Sequence, residues 1–378
     1  MAAYGLYTHI QSNKRRSIAL LIGLFFLIYV LVFAGALLAE AFTSHYGYNS
    51  NAYNPPLDYL IRAAEFDFIK ALPFATVGTV IWIAIAYKFH QRMIDAVTGA
   101  REVSRAEEPR LYNILENLCI SRGITMPKLR IADDEALNAF ATGLNDKQYS
   151  ITVTQGLIDA LDDQEIEAVL GHELTHIRNG DVRMLVIALV IAGAIGFFGE
   201  LVFRIFFQNV MWGGGRRSSS DDRKGGAGIA IVIAIAIIVV VWVLSIVIRF
   251  ALSRQREYLA DSGSVELTKN PDAMISALRK IEGRGEIPGA NSAVMEMCID
   301  NPREGFSNIF DTHPSVEKRV EALVKFAGGH DPGPLEIAAP EQAEADTPQA
   351  EAPAPGPWSD EIPQQPPAPP GPWGPTRS

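Results

Sequence analysis

The residues best suited to chemistry in this chain are two histidines and a glutamate that lie between Leu170 and Asp181. His172, Glu173 and His176 form the pattern H-E-x-x-H. On a helix, residues four apart lie on one face about one turn from each other, so both imidazoles can bind a single zinc ion. Glu173 would then lie beside the open position of the metal and accept a proton from bound water. This layout is typical of zinc peptidases; the alternative is two ordinary, partly buried histidines on an amphipathic helix.

A zinc site of this type needs a third protein ligand from elsewhere in the chain. Glu257 and Asp261 are four residues apart and share one face if their segment is helical. We expect Glu257 to be the third ligand and Asp261 to accept a hydrogen bond from the free ring N–H of a ligand histidine. The alternative is a solvated helix surface on which these carboxylates and nearby arginines are mixed charges. Asp181 is either a second such acceptor or a polar residue where a membrane helix begins.

The helix that carries the two histidines has a well-marked start. Asp162 can cap its first turn, and Glu165, three residues later, completes the pattern of a capping box. Further upstream, acidic residues and Pro109 in the segment Glu107–Cys119 precede apolar residues at helical spacing, which predicts a surface helix.

Three short strands are expected between that surface helix and the H-E-x-x-H helix. They are Lys128–Ala132, Asn138–Gly143 and Tyr149–Thr154, with a turn near Asn145 between the last two. We expect them to form a small antiparallel sheet. The predicted fold is therefore α+β and mostly helical.

The composition indicates a membrane protein. Hydrophobic residues make up 48% of the 378 residues, which is high for a chain with 20% charged residues. Four apolar stretches are candidates to cross a hydrocarbon layer of about 30 Å as helices. They lie near 18–39, 72–89, 184–203 and 229–250. The first has an apolar run too long for a signal peptide, so we expect an uncleaved anchor.

Basic residues beside the first two spans predict the orientation of the chain. Three basic residues, Lys14 to Arg16, precede the first span, and Lys88, Arg92 and Arg101 follow the second. Both ends should therefore be cytoplasmic. Basic residues in the 204–227 loop conflict with this orientation, unless the second hairpin is shallow or re-entrant. The expected divisions are an N-terminal transmembrane hairpin 1–90, a cytoplasmic domain 91–182 with 251–327, a second transmembrane hairpin 183–250, and a tail 328–378.

The tail differs in composition from the rest of the chain. Residues 328–378 contain fourteen of the 23 prolines, eight acidic residues and one basic residue. We expect a disordered, proline-rich acidic tail that either binds a partner or only solvates the chain. The net charge of −10 gives no indication of a nucleic-acid partner. Cys119 and Cys298 have no C-x-x-C spacing and are expected to be free thiols.

Five motifs, in this order, resemble the HtpX family of membrane zinc metallopeptidases. They are Asn138–Ala141, His172–His176, Asn179–Asp181, Ser253–Asp261 and Thr312–Pro314, and the resemblance covers roughly residues 15–325. It implies a zincin-like catalytic domain of the gluzincin type, with one Zn²⁺ bound by His172, His176 and Glu257 and with Glu173 as the base. The proline-rich tail departs from the compact end expected of the family.

The resemblance also implies a biological role and further site residues. The role is stress-related quality control of damaged or misfolded membrane proteins in the bacterial inner membrane. Asn138, Ala139 and Phe140 correspond to the strand that binds extended substrates at an exposed edge; alternatively, Asn138 merely ends a strand. His313 corresponds to a histidine near the metal that could donate to the oxyanion, although a lone histidine before proline is often a loop residue. Arg319 is a weaker candidate for the same neighbourhood.

Two other functions remain open. An inactive membrane scaffold could recruit partners through its proline-rich tail, but the complete set of ligands and base favours an enzyme. A CAAX prenyl protease-like enzyme would have a related site, but four spans are fewer than expected there. We therefore expect a zinc endopeptidase that acts on membrane-protein or peptide substrates at the cytoplasmic face of a lipid bilayer.

Overall fold

This computed structural model describes residues 6–43, 56–212, 226–250, 255–290, 292–302 and 313–333. These residues include eleven helices and a four-stranded sheet. The helices are α1 Leu6–Thr43, α2 Leu57–Thr98, α3 Pro109–Arg122, α4 Gln155–Ala160, α5 Asp163–Asn179, α6 Asp181–Trp212, α7 Gly226–Phe250, α8 Gln255–Thr268, α9 Pro271–Ile281, α10 Ser292–Met295 and α11 Val316–Ala327. The strands are β1 Ala100–Glu102, β2 Lys128–Ala132, β3 Ala139–Thr142 and β4 Ser150–Thr154.

Helices α1, α2, α6 and α7 are long and apolar enough to cross a membrane, which confirms the four expected membrane helices. At 1.5 Å per residue, the 38 residues of α1 extend about 57 Å, roughly twice the thickness of a hydrocarbon layer. Part of α1 must therefore lie beyond the bilayer. The side of the membrane on which each end lies stays a prediction.

Helix α2 is much longer than the expected span of 72–89. It begins at Leu57, continues through Pro73 and ends at Thr98, and the next residue, Gly99, has the left-handed φ of 68°. Proline removes one helical hydrogen bond, but membrane helices tolerate it where neighbouring groups compensate. Beyond the span, the Gln91 side chain of α2 accepts hydrogen bonds from the hydroxyls of Thr142 (2.6 Å) and Ser150 (2.9 Å). The second membrane helix is thus attached directly to the sheet.

The sheet is mixed, so the expectation of an antiparallel sheet was wrong. Its strand order is β1-β2-β4-β3. The short connection between β3 and β4 forms an antiparallel hairpin, but β4 lies next to β2 in the parallel direction. The position of β2 depends on long-range pairing, which strand patterns do not specify. Strand β1 was not expected, because three residues directly after a helix give little pattern to detect.

One hydrophobic core supports the helix that carries the histidines. Apolar side chains from α3, the sheet, α9 and α11 pack around α5. After α11, the chain continues to residue 333, and Asp331 pairs with Arg279 of α9 at 2.7 Å. Residues 334–378 of the expected tail, and residues 213–225 between the third and fourth spans, lie outside the described residues.

Candidate metal centre

The start of α5 is fixed as the sequence predicts. The Asp162 carboxylate accepts hydrogen bonds from the backbone N–H groups of Gln164 and Glu165, and the Glu165 side chain accepts from the N–H of Asp162. Such a cap stabilises a helix by about 1 kcal/mol. The helix ends at Asn179, and the next residue, Gly180, has a φ of 75° that allows the sharp turn into α6. This turn places Asp181 in the first turn of α6, close to the last turn of α5.

Small residues let α5 and α8 approach each other closely. The Ser264 hydroxyl of α8 donates to the carbonyl oxygen of Ala168 in α5. A Cβ atom added to Gly263 would lie 3.0 Å from Thr175 Cβ and still closer to the end of that side chain. Only glycine fits at this crossing. The close approach brings the acidic residues of α8 to the histidines of α5.

The three expected ligands lie together in the interior. His172, His176 and Glu257 each offer a ligand atom, and these atoms all lie within 4.8 Å of one another. The two imidazole Nε2 atoms are 3.1 Å apart. The Glu257 Oε2 atom is 3.6 Å from each of them.

Carboxylates on the far side of each imidazole fix its orientation. Asp261 Oδ1 lies 2.9 Å from His172 Nδ1, and Asp181 Oδ2 lies 3.0 Å from His176 Nδ1. Each ring can therefore donate its Nδ1–H and keep the Nε2 lone pair for a ligand. Arg319 holds Asp261 in turn through two bonds of 2.9 and 2.6 Å. Arg319 thus lies in the expected neighbourhood, where it orients Asp261.

The electrostatics of the site favour a bound cation. Burial alone would lower the pKa of His176, but the carboxylates of Glu257 and Asp181 outweigh burial and raise it to about 10. Burial would raise the pKa of Glu257, yet His313 and the two other histidines hold it well below its ordinary value. The buried Glu257 Oε2 makes no hydrogen bond among the described residues, while Arg256 donates to Oε1 at 3.0 Å. Two imidazole nitrogens and one carboxylate oxygen are a donor set that fits zinc.

Glu173 lies in the same cavity as the three ligand residues. Its side chain is buried, and burial raises its pKa, although the neighbouring His172 and His176 oppose the rise. A carboxyl with a raised pKa is a better proton acceptor near neutral pH than an ordinary surface glutamate.

His313 lies beside Glu257, the expected third ligand. Its Nε2 donates to the carbonyl oxygen of Glu296 at 3.3 Å, and its Nδ1 lies 3.5 Å from Glu257 Oε2. His313 is buried in the cavity wall and is no exposed loop residue. Thr312, the preceding residue of the motif, lies outside the described residues.

The β3 edge differs from the expectation of an exposed edge. Asn138, Ala139 and Phe140 have no solvent-exposed surface. The carbonyl oxygen of Ala139 accepts from the N–H of Ile299 at 3.0 Å, and Phe140 forms an antiparallel bridge with Cys298. An open edge exposes unpaired backbone groups, and here the chain's own segment covers them.

The side chain of Asn138 holds the covering segment in place. Its amide donates to the carbonyl oxygens of Gly285 (2.6 Å) and Asp300 (2.8 Å), and its carbonyl accepts from the N–H of Ile299 at 3.1 Å. Asn138 therefore does more than end a strand, because it joins β3 to two later segments of the chain.

Two polar residues of the site were not predicted. Arg256 is 2% exposed and donates to Glu257, the expected third ligand. From the sequence, Arg256 was considered only as one of several mixed charges on a solvated helix surface. Asn13 of α1 donates to Asp181 at 2.7 Å. The only sequence signal for Asn13 is its place beside basic residues at the start of an apolar span, which does not indicate its partner.

The cysteines are free thiols, as expected, and both are buried. Burial raises the pKa of Cys119 to about 11, so this thiol is protonated at neutral pH and is a poor metal ligand. Cys298 lies in the segment that covers β3.

Comparison with known proteins identifies the family. Peptidase family M48 matches residues 105–327. The protein "Protease HtpX homolog" of Bacteroides fragilis is 38% identical over 334 residues, which cover 86% of this chain and 100% of that protein. A protein of the same name from Lactobacillus helveticus is 36% identical over 84% of this chain and 99% of its own length. The solved structure of S. mikatae Ste24p is similar over 66% of this chain and 57% of its own, with a TM-score of 0.40 and 19% identity. On the M48 match and the curated relatives, the chain belongs to peptidase family M48 and, within it, to the HtpX family of membrane proteases.

Proposed function

We propose that this protein is a zinc-dependent endopeptidase that hydrolyses damaged or misfolded membrane proteins at the cytoplasmic face of a bacterial inner membrane, as part of quality control under stress. The observation that carries the proposal is the buried cluster of His172, His176 and Glu257 with Glu173 beside it, on a chain with four candidate membrane helices.

Each side chain has a distinct part in this proposal. A bound zinc ion would polarise the scissile carbonyl and acidify a water molecule. Glu173 accepts the proton of that water on its carboxylate and passes it to the leaving amine. Asp261 and Asp181 hold the imidazoles of His172 and His176 in the ligating tautomer.

His313 is proposed to stabilise the oxyanion. Its Nε2–H donates to the carbonyl oxygen of Glu296 in this structure. When a substrate is bound, the same N–H would donate to the oxyanion instead. A hydrogen-bond donor close to the developing oxyanion stabilises the transition state more than the substrate.

An extended substrate is proposed to bind beside β3, at Asn138, Ala139 and Phe140. Backbone hydrogen bonds along a strand edge bind peptides with little demand on their sequence, which suits the breakdown of many different proteins. Since Cys298 and Ile299 pair with this edge, strand addition requires that they move away.

The proposal is tested by comparing membranes from cells that make the wild type and Glu173→Gln. We expect membrane proteins to accumulate, and to be captured, only with the variant. Purified wild type that contains no stoichiometric zinc and cleaves no unfolded protein would instead favour the membrane scaffold. Cleavage of a farnesylated CAAX peptide in preference to its unmodified form would favour the prenyl protease alternative.

A further inference from the structure

The first membrane helix brings a buried polar side chain to the metal centre. Asn13 of α1 is 1% exposed, whereas the basic residues that follow it, Lys14 to Arg16, are exposed. A buried amide destabilises a fold unless its polar atoms are hydrogen-bonded. The position of Asn13 therefore depends on the partners that it finds.

Those partners lie on both sides of the turn between α5 and α6. The Asn13 amide nitrogen donates to Asp181 Oδ1 at 2.7 Å and to the backbone carbonyl oxygen of Asn179 at 3.1 Å. An amide NH₂ group has two hydrogens, so it can make both bonds. One bond satisfies a carbonyl in the last turn of α5, where carbonyls have no partner within the helix. The other holds a carboxylate in the first turn of α6.

The same carboxylate orients a metal ligand. Asp181 is fully buried, and its second oxygen, Oδ2, lies 3.0 Å from His176 Nδ1. Because Asn13 binds Oδ1, the carboxylate is fixed with Oδ2 towards the imidazole. This arrangement keeps the proton of His176 on Nδ1 and directs Nε2 towards Glu257, at 3.6 Å.

We propose that Asn13 is a positioning residue for His176 that acts through Asp181. In this way the first membrane helix contributes to the geometry of the metal centre. The proposal rests on the proposed function in so far as His176 binds zinc. It explains why α1 extends beyond its apolar stretch to reach the turn at Gly180. The two hydrogen bonds join Asn13 to Asn179, 166 positions away in the chain, and to Asp181, 168 positions away.

The test measures the affinity of the purified full chain for Zn²⁺ by competition with a chelator. Asn13→Leu removes the amide that makes both hydrogen bonds and keeps a side chain of similar volume. Gln11→Leu is the matched control, because Gln11 is exposed on α1. Loss of a carboxylate that holds a ligating histidine costs about 10- to 100-fold in metal affinity, so we expect that loss for Asp181→Asn. For Asn13→Leu we expect about tenfold, with a changed visible spectrum of the Co²⁺-substituted protein.

A double variant separates positioning from a general effect on stability. If Asn13 acts through Asp181, adding Asn13→Leu to Asp181→Asn should cost little further affinity, because both changes interrupt the same series of bonds. Two losses that multiply, or an Asn13→Leu protein that binds Zn²⁺ like Gln11→Leu, would overturn the proposal.

Folding is checked by helical content and by thermal melting without metal. If Asn13→Leu is destabilised, Asn13→Ser is measured in its place, and unfolding of both variants would make the role of Asn13 structural and overturn the proposal. Wild type that binds Zn²⁺ but hydrolyses nothing contradicts the proposed function alone. Wild type that hydrolyses, with Asn13→Leu unchanged in Zn²⁺ affinity, contradicts this inference alone.

Discussion

At the scale of single residues, two buried glutamates of the centre differ in their surroundings. Arg256 binds one oxygen of Glu257 and leaves the other facing both imidazoles. Glu173 lies in the same cavity, and burial raises its pKa. Glu257 is one of three residues whose ligand atoms could hold a metal ion, and the proposal assigns the uptake of a proton to Glu173.

Our first prediction separates these two roles. Glu173→Gln keeps the size of the side chain but removes the proton acceptor, so zinc should stay bound while hydrolysis falls by a factor on the order of a hundred or more. Glu257→Ala removes one of three protein ligands, so zinc affinity itself should collapse. Zinc content and peptide hydrolysis of both purified variants are the measurements. Zinc-free Glu173→Gln or fully loaded Glu257→Ala would show that base and ligand are assigned wrongly.

At the scale of elements, the centre depends on how closely α5 and α8 cross. The second prediction is that Gly263→Ala lowers the free energy of unfolding by about 1 to 3 kcal/mol, because the new methyl group overlaps the Thr175 side chain. It should also weaken zinc binding, since it separates His172 and Glu257. Thermal melting and zinc titration measure both effects.

A compensating variant tests this explanation. Adding Thr175→Ala removes Cγ2 and Oγ1, the two atoms nearest to the new methyl group, and should restore most of the lost stability. Gly196→Ala is the control, because a methyl group at Gly196 meets nothing within 4 Å. Equal destabilisation by the Gly196 and Gly263 substitutions would contradict close packing as the cause.

The third prediction concerns the segment that covers β3. Asn138→Ala removes the side-chain bonds to Ile299 and Asp300, which together contribute about 1 to 3 kcal/mol. Amide hydrogen exchange of residues 298–300 should therefore become faster, with little change in α3. Asn113→Ala, on the exposed surface of α3, is the matched control. Unchanged protection in Asn138→Ala would mean that the β3 pairing alone holds the segment.

At the scale of the whole molecule, the described residues combine four helices that could cross a membrane with a metal centre built mainly on α5 and α8. The fourth prediction is that exposed positions in the catalytic part, such as Arg110 and Glu321, face the cytoplasm, because basic residues flank the first two spans on that side. Single cysteines at these positions, in a chain without Cys119 and Cys298, should resist an impermeant reagent applied outside.

Labelling of the connection between the third and fourth spans tests whether the second hairpin crosses the bilayer. A cysteine at Ser218, which lies outside the described residues, should react from outside if the second hairpin crosses the bilayer. Reaction of position 110 or 321 from outside would reverse the orientation. Protection of position 218 in intact cells, with labelling after lysis, would indicate a hairpin that does not cross.

The sequence by itself determined the features that depend on neighbours along the chain. The spacing of His172 and His176 places both imidazoles on one helix face, and Asp162 with Glu165 specifies where that helix begins. Apolar length alone indicated the four membrane helices. These features are local, because helix periodicity and capping involve residues within one or two turns.

Only the tertiary structure decided which distant residues meet. It placed β4 between β2 and β3, covered the β3 edge with the Cys298 segment, and buried Arg256 and Arg319 against the carboxylates of the centre. It also joined Asn13 to Asp181 across 168 positions. A sequence pattern gives the period of a helix or strand, but the partner of a buried polar group is set by packing, since any buried donor must find an acceptor that the fold brings within reach.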